Sequence, residues 1–170
     1  FIIEPVHLDA DFGMIFMDGK GYLNMCGHGT IGVATVLVDM GMVNVTEPYT
    51  ELVLESAVGL IKVRVLVENR RIKNVSFINT PSFLFQRDVV LDVPGLGTLK
   101  FDIAFGGNFF IIIKDSELGV EISPNNTPDI THKALKLLNY AMEHVPVKHP
   151  LLPINKIELV EIYGKPKNKD

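Results

Sequence analysis

A single cysteine stands at Cys26, between Met25 and the run Gly27-His28-Gly29-Thr30-Ile31-Gly32, and any chemistry of this chain has to be argued around it. An extended segment gives way there to an apolar, helix-like run, Val33-Ala34-Thr35-Val36-Leu37-Val38. The first four backbone N–H groups of a helix lack internal partners and carry partial positive charge. A thiol at such an end can be populated as thiolate at neutral pH, because its ordinary pKa of roughly 8.5 is lowered there. Gly27 and Gly29 remove side chains from that end, so a carboxylate could approach the bare N–H groups. His28 adds a donor or a titratable neighbour. Together these residues offer a base or nucleophile beside an anion seat, which suits proton abstraction next to a carboxylate.

Other readings of the same residues stand beside this one. A lone cysteine is commonly buried filler, and on residue types alone Cys26 stays open between filler and reactive thiol. A zinc site built on Cys26 and His28 is disfavoured, because there is no second cysteine and His7, His132, His144 and His149 show no ligand spacing. The Gly27-x-Gly29-x-x-Gly32 spacing imitates a dinucleotide fingerprint, but the strand before it and an acidic ribose ligand after it are unconvincing.

The elements that must position Cys26 follow from pattern. Asp11-Phe12-Gly13-Met14-Ile15-Phe16-Met17 reads as one strand, Asp18-Gly19 as a hairpin turn, and Tyr22-Leu23 as the returning strand that delivers Asn24-Met25-Cys26. Thr30 to Met40 is apolar on nearly every side and stops at Gly41, which predicts a central helix wrapped by other elements. Glu51–Glu55, Leu60–Val67 and Ile72–Asn79 read as an antiparallel meander that Pro81 ends. Asp88–Val93, Thr98–Phe105 and Phe109–Ile113 follow as strands. Pro128 behind a Thr127 cap opens a helix near 128–145, whose Ile130, Ala134, Leu137, Leu138, Ala141 and Val145 form one face. A proline-rich connection leads to a closing strand, Ile157–Ile162. No exact repeat is present, though strands, helix and strands recur loosely in two halves, which we divide at 1–96 and 97–170.

Composition bounds the function. With 170 residues and 47% hydrophobic content the chain can bury a sizeable core. A net charge of -4, with 16 scattered basic residues, argues against nucleic acid as a partner. The basic tail of Lys165, Lys167 and Lys169 reads as a solvated end. No run reaches the roughly 18 to 20 apolar residues of a membrane span. One cysteine forms no internal disulfide, so a reducing cytoplasmic setting fits best. The start at Phe1 lacks both an initiator Met and a basic n-region, which suggests a piece of something longer rather than a signal peptide.

These residues also carry a family resemblance. Ala10-Asp11-Phe12-Gly13 through Phe16-Met17-Asp18, and then Gly21-Tyr22-Leu23-Asn24-Met25-Cys26-Gly27-His28-Gly29-Thr30-Ile31-Gly32, resemble the first active-site block of the proline racemase family, which includes hydroxyproline 2-epimerases and trans-3-hydroxyproline dehydratases. Asn79-Thr80-Pro81-Ser82-Phe83, Asp92-Val93-Pro94-Gly95-Leu96-Gly97, Phe105-Gly106-Gly107-Asn108-Phe109-Phe110 and Glu161-Ile162-Tyr163-Gly164 extend the resemblance over essentially the whole chain. It implies a mixed α/β (α+β) fold of the diaminopimelate-epimerase type, two pseudo-symmetric halves each wrapping sheet around a central helix. It implies cofactor-independent isomerase chemistry, in which two cysteines on opposite faces of the substrate α-carbon exchange its proton and invert it. Cys26 matches the first of the pair. Gly27, His28 and Gly29 match the segment that helps hold the substrate carboxylate, and Leu23 matches a pocket-lining position. The implied partner is proline or hydroxyproline, with no metal or cofactor, in a homodimer. The family's second cysteine motif has no counterpart before Asp170, so half of the implied site lies outside these residues. A dehydratase that replaces the second cysteine, and a non-catalytic remnant or small-anion binding module, remain the competing expectations.

Overall fold

The computed structural model describes residues 1–19 and 21–166, and its two compact units are Phe1–Pro81 and Ser82–Asp170. The boundary therefore falls at Pro81/Ser82 rather than at 96/97. The reason is local: the strand before residue 96 pairs with the strand after it as a hairpin and cannot belong to a different unit.

The first unit begins with the short strands β1 (Ile2–Ile3), β2 (Phe12–Met14), β3 (Phe16–Asp18) and β4 (Gly21–Leu23). The apolar run read as one strand is thus two, divided at Ile15. β2 lies between β1 and a later strand of the large sheet, whereas β3 pairs only with β4 in a separate hairpin with Phe16 opposite Leu23. Gly21, at φ 138°, supplies the positive φ of that turn.

Helix α1 runs Gly27–Asp39, opening directly after Cys26 and ahead of the apolar run from Thr30. It ends as the sequence predicts. Gly41 takes the left-handed conformation, its N–H donates to the Val38 carbonyl at 3.1 Å, and the Met42 N–H donates to that of Leu37 at 2.9 Å. β5 (Tyr49–Ser56), β6 (Gly59–Glu68) and β7 (Arg71–Ile78) then form the expected meander and complete the order β1-β2-β5-β6-β7. Period-two alternation puts Leu52, Leu54, Ile61, Val63, Val65 and Val67 in the core, and α1 packs on β6 and β7 with Thr30, Ala34, Leu37 and Val38 buried.

The buried stripe of α1 is Thr30, Ala34, Leu37 and Val38, while Ile31 is 38% and Val36 49% exposed.

In the second unit β8 (Phe83–Val93) is longer than predicted, with register shifts between Leu84 and Val89 as it pairs with β9 (Gly97–Phe105). β10 (Phe109–Lys114) pairs antiparallel with β9, and the short helix α2 (Asp115–Leu118) follows. Helix α3 spans Thr127–His144 and leads to β11 (Ile157–Tyr163), which lies parallel to β10 in the order β11-β10-β9-β8. The predicted helical face is the inner one, with Leu137, Ala141 and the following Val145 buried. Thr127 is not its cap. The capping position belongs to Asn126, while the Thr127 hydroxyl donates to the Pro124 carbonyl at 2.8 Å and closes the turn before the helix. Lys167 and Lys169 of the basic tail lie outside the described residues.

Candidate functional site

Three residues beyond β4 the backbone reaches Cys26 in an extended conformation, φ -142° and ψ 112°, and turns into α1. The buried Met25 side chain anchors that turn. Cys26 is the N-cap. Its Sγ accepts the Gly29 N–H at 3.3 Å, and its carbonyl accepts the Thr30 N–H and the Thr30 hydroxyl, each at 2.9 Å. A side-chain acceptor for the third helical N–H is the task that Ser, Thr, Asp or Asn usually performs at a helix start. Here sulfur performs it, so the thiol is held by the backbone beside the helix axis and stays half-buried rather than sunk in the core.

The N–H groups of Gly27 and His28 have no acceptor among the described residues, as the first positions of a helix require. No acidic side chain occupies the first turn to offset their partial charge. Cys26, Gly27, His28 and Gly29 are therefore brought together as one surface: a half-buried sulfur, two unpaired amides and an exposed imidazole. Leu23 is the last residue of β4, three before Cys26, and lies opposite Phe16.

The two glycines have a use that spacing did not reveal. A Cβ on Gly29 would stand 2.7 Å from Cε1 and 2.9 Å from Cδ1 of Phe16, and a Cβ on Gly27 would stand 3.2 Å from Cζ of Phe77. Their missing side chains make room for two aromatic rings against the first turn. Any ligand would meet their amides rather than the notches on their Cα atoms. Gly32, by contrast, faces open space. Phe77 comes from a strand distant in sequence, Phe16 from the near strand of the hairpin, and neither has a spacing relation to Cys26 that singles it out.

Among the described residues no group of three or more His, Cys, Asp or Glu is placed to hold a metal ion, and no helix is long and apolar enough to cross a membrane. A recess of about 570 Å³ opens on the β5–β7 sheet and is lined by Glu51, Val53, Lys62, Arg64 and Ile78 among others. None of the residues lining it belongs to Met25–Gly29. The Cys26 surface is assigned on its geometry and chemistry, not on concavity.

Comparison with known proteins bears on what such a surface does. The family model described as Proline racemase matches residues 1–170. The chain is 49% identical to the proline racemase of Clostridioides difficile over 96% of its own length and 49% of that protein's. It is 34% identical to the trans-3-hydroxy-L-proline dehydratase of Burkholderia cenocepacia (strain HI2424), over 96% of this chain and 48% of that one. Among solved structures, a hydroxyproline epimerase from Agrobacterium vitis with bound trans-4-OH-L-proline superposes with a TM-score of 0.88 at 27% identity, covering 94% of this chain and 47% of that one. The chain spans about half the length of these relatives.

Proposed function

This chain belongs to the proline racemase family, and from that premise we propose that it carries the first catalytic half of a cofactor-independent racemase or epimerase of proline or hydroxyproline. Cys26 is the acid/base group. As thiolate it takes the α-proton, so that the Cα–H bond breaks and an S–H bond forms, while the electron pair is delocalised into the substrate carboxylate. A second thiol on the opposite face gives up its proton to that carbon, and the configuration inverts. The step leaves Cys26 protonated and the second sulfur as thiolate, and the pair resets when Cys26 gives its proton to solvent and the second sulfur takes one up.

The observation that supports this role is the Cys26 N-cap: a thiol held at 3.3 Å from the Gly29 N–H, beside the Gly27 and His28 amides, which have no acceptor among the described residues. The amides receive the carboxylate, whose charge grows as the proton leaves. Donors aimed at developing charge contribute most to catalysis of this kind. His28 flanks the same anion. Leu23 packs beside the apolar ring of the substrate.

Cys26 is the single cysteine of the 170 residues, so the second thiol has to come from residues beyond them, and these residues by themselves should not invert proline. Family members are commonly dimers, and a cytoplasmic compartment keeps such thiols reduced; both are extended to this protein on family membership.

The 34% identity to a dehydratase supports one competing reading, a lyase that, as the family resemblance implies, keeps the first cysteine and has a threonine at the second position. Product analysis decides between them. Intact protein given L-proline and trans-3-hydroxyproline should return the inverted amino acid and no dehydration product; loss of water from the latter without inversion of either would establish the lyase.

A further inference from the structure

We propose that Phe16 is a positioning residue for Cys26, a proposal that rests on the reading of Cys26 as the acid/base group. Its ring, Gly29 and the sulfur converge on one point. A Cβ built on Gly29 would meet Cε1 and Cδ1 of Phe16 at 2.7 and 2.9 Å and Sγ of Cys26 at 3.4 Å. The same Gly29 supplies the N–H that holds the sulfur at 3.3 Å. Whatever sets the position of the Gly29 backbone therefore sets the donor that aims the thiol.

The hairpin makes that setting two-ended. β4 runs through Asn24 and the buried Met25 into the cap, so it fixes Cys26 through the chain itself. β3 pairs with β4, Phe16 opposite Leu23, and brings the Phe16 ring back onto the third residue of α1. The cap is thus held by covalent continuity on one side and by ring contact on the other. Phe77, against Gly27, braces the turn at a second point. A ring in the Gly29 notch limits drift of the first turn relative to the hairpin, and a misplacement of about 1 Å at a reacting group can cost on the order of 100-fold in rate.

The test uses the intact protein that carries these residues, with kcat and KM for proline inversion and the alkylation rate of Cys26 read by peptide mapping. Phe16→Ala should lower kcat by about tenfold or more with a smaller change in KM, and Phe16→Tyr, which keeps the ring, should recover most of it. Leu37→Ala, on the buried side of α1, loses core packing without touching the notch and should leave kcat of the folded protein near wild type. Gly29→Ala should be deleterious alone and less so in combination with Phe16→Ala, which removes the clash. Wild-type kcat and alkylation in Phe16→Ala, or equal losses in Phe16→Ala and Leu37→Ala, would overturn the proposal. The parallel Cys26→Ser variant separates the two levels: full activity there removes the acid/base reading and this proposal with it, whereas inactivity there beside wild-type Phe16→Ala removes only this proposal.

Discussion

The Gly29 N–H donates to the Cys26 sulfur at 3.3 Å, so the residue that caps α1 is also the single cysteine of the sequence. Structure and reactivity are joined in that contact, because the N–H that needs an acceptor at the helix end is the donor that orients the thiol. Replacing Cys26 by Ser keeps an acceptor at the cap and removes only the sulfur chemistry. Cys26→Ser should therefore change stability by less than about 1 kcal/mol, whereas Cys26→Ala, which leaves the N–H unpaired, should cost about 0.5–2 kcal/mol. Denaturant unfolding of the two variants checks the difference.

The glycines of the motif should separate when each is changed to alanine. Gly32 faces open space in the helix, and alanine there should stabilise by about 0.5–1 kcal/mol through helix propensity alone. At Gly27 the new methyl meets Phe77 Cζ at 3.2 Å, which a small ring displacement relieves. At Gly29 it meets the Phe16 ring at 2.7 Å, and overpacking should cost about 1–3 kcal/mol. The order of unfolding midpoints, Gly32→Ala above Gly27→Ala above Gly29→Ala, is the expected result.

In the second unit His149 should behave as a structural residue. It is buried, its ring lies 4.5 Å from that of Phe105 in edge-to-face contact, and its Nδ1 accepts the N–H groups of Leu151 and Leu152 at 3.1 and 3.0 Å. His149→Leu fills similar space and leaves both N–H groups without their acceptor. A loss of about 1–3 kcal/mol in denaturant unfolding is expected, with no change in Cys26 alkylation.

The amino-terminal segment should loosen in acid. The Glu55 carboxylate accepts the His7 and Val6 N–H groups, at 3.0 and 2.6 Å, and these bonds hold it below its ordinary pKa of 4.5. A carboxyl depressed in the folded state contributes stability above its unfolded value and loses it as pH falls through the folded value. Hydrogen exchange at Val6 and His7 should therefore stay protected down to about pH 4.5 and lose protection below it. Glu55→Gln should remove that pH dependence.

Much of this arrangement could be read from local pattern. The hairpin turn, the Gly41 stop, the β5–β7 meander and the inner face of α3 each depend on residues within one or two elements, where periodicity and turn chemistry decide the outcome. What escaped was non-local. Nothing near Ile15 announces that the strand divides there and that its halves join different sheets. The Thr127 hydroxyl is a reasonable cap by type, but the preceding turn at Pro124 draws it away. Gly27 and Gly29 were read as clearances for a ligand because their true neighbours, Phe77 and Phe16, are brought in by tertiary packing. The location of Cys26 at a helix end was legible; the ring that braces it was not.

The central claim is that Cys26 moves the substrate α-proton. Intact protein and its Cys26→Ser variant, incubated with L-proline or a hydroxyproline in D2O, would be followed by NMR for deuterium at the α-carbon and by optical rotation for inversion. The account predicts exchange with inversion in the wild type and a loss of at least about 100-fold in the variant. Undiminished exchange and inversion in Cys26→Ser would contradict it.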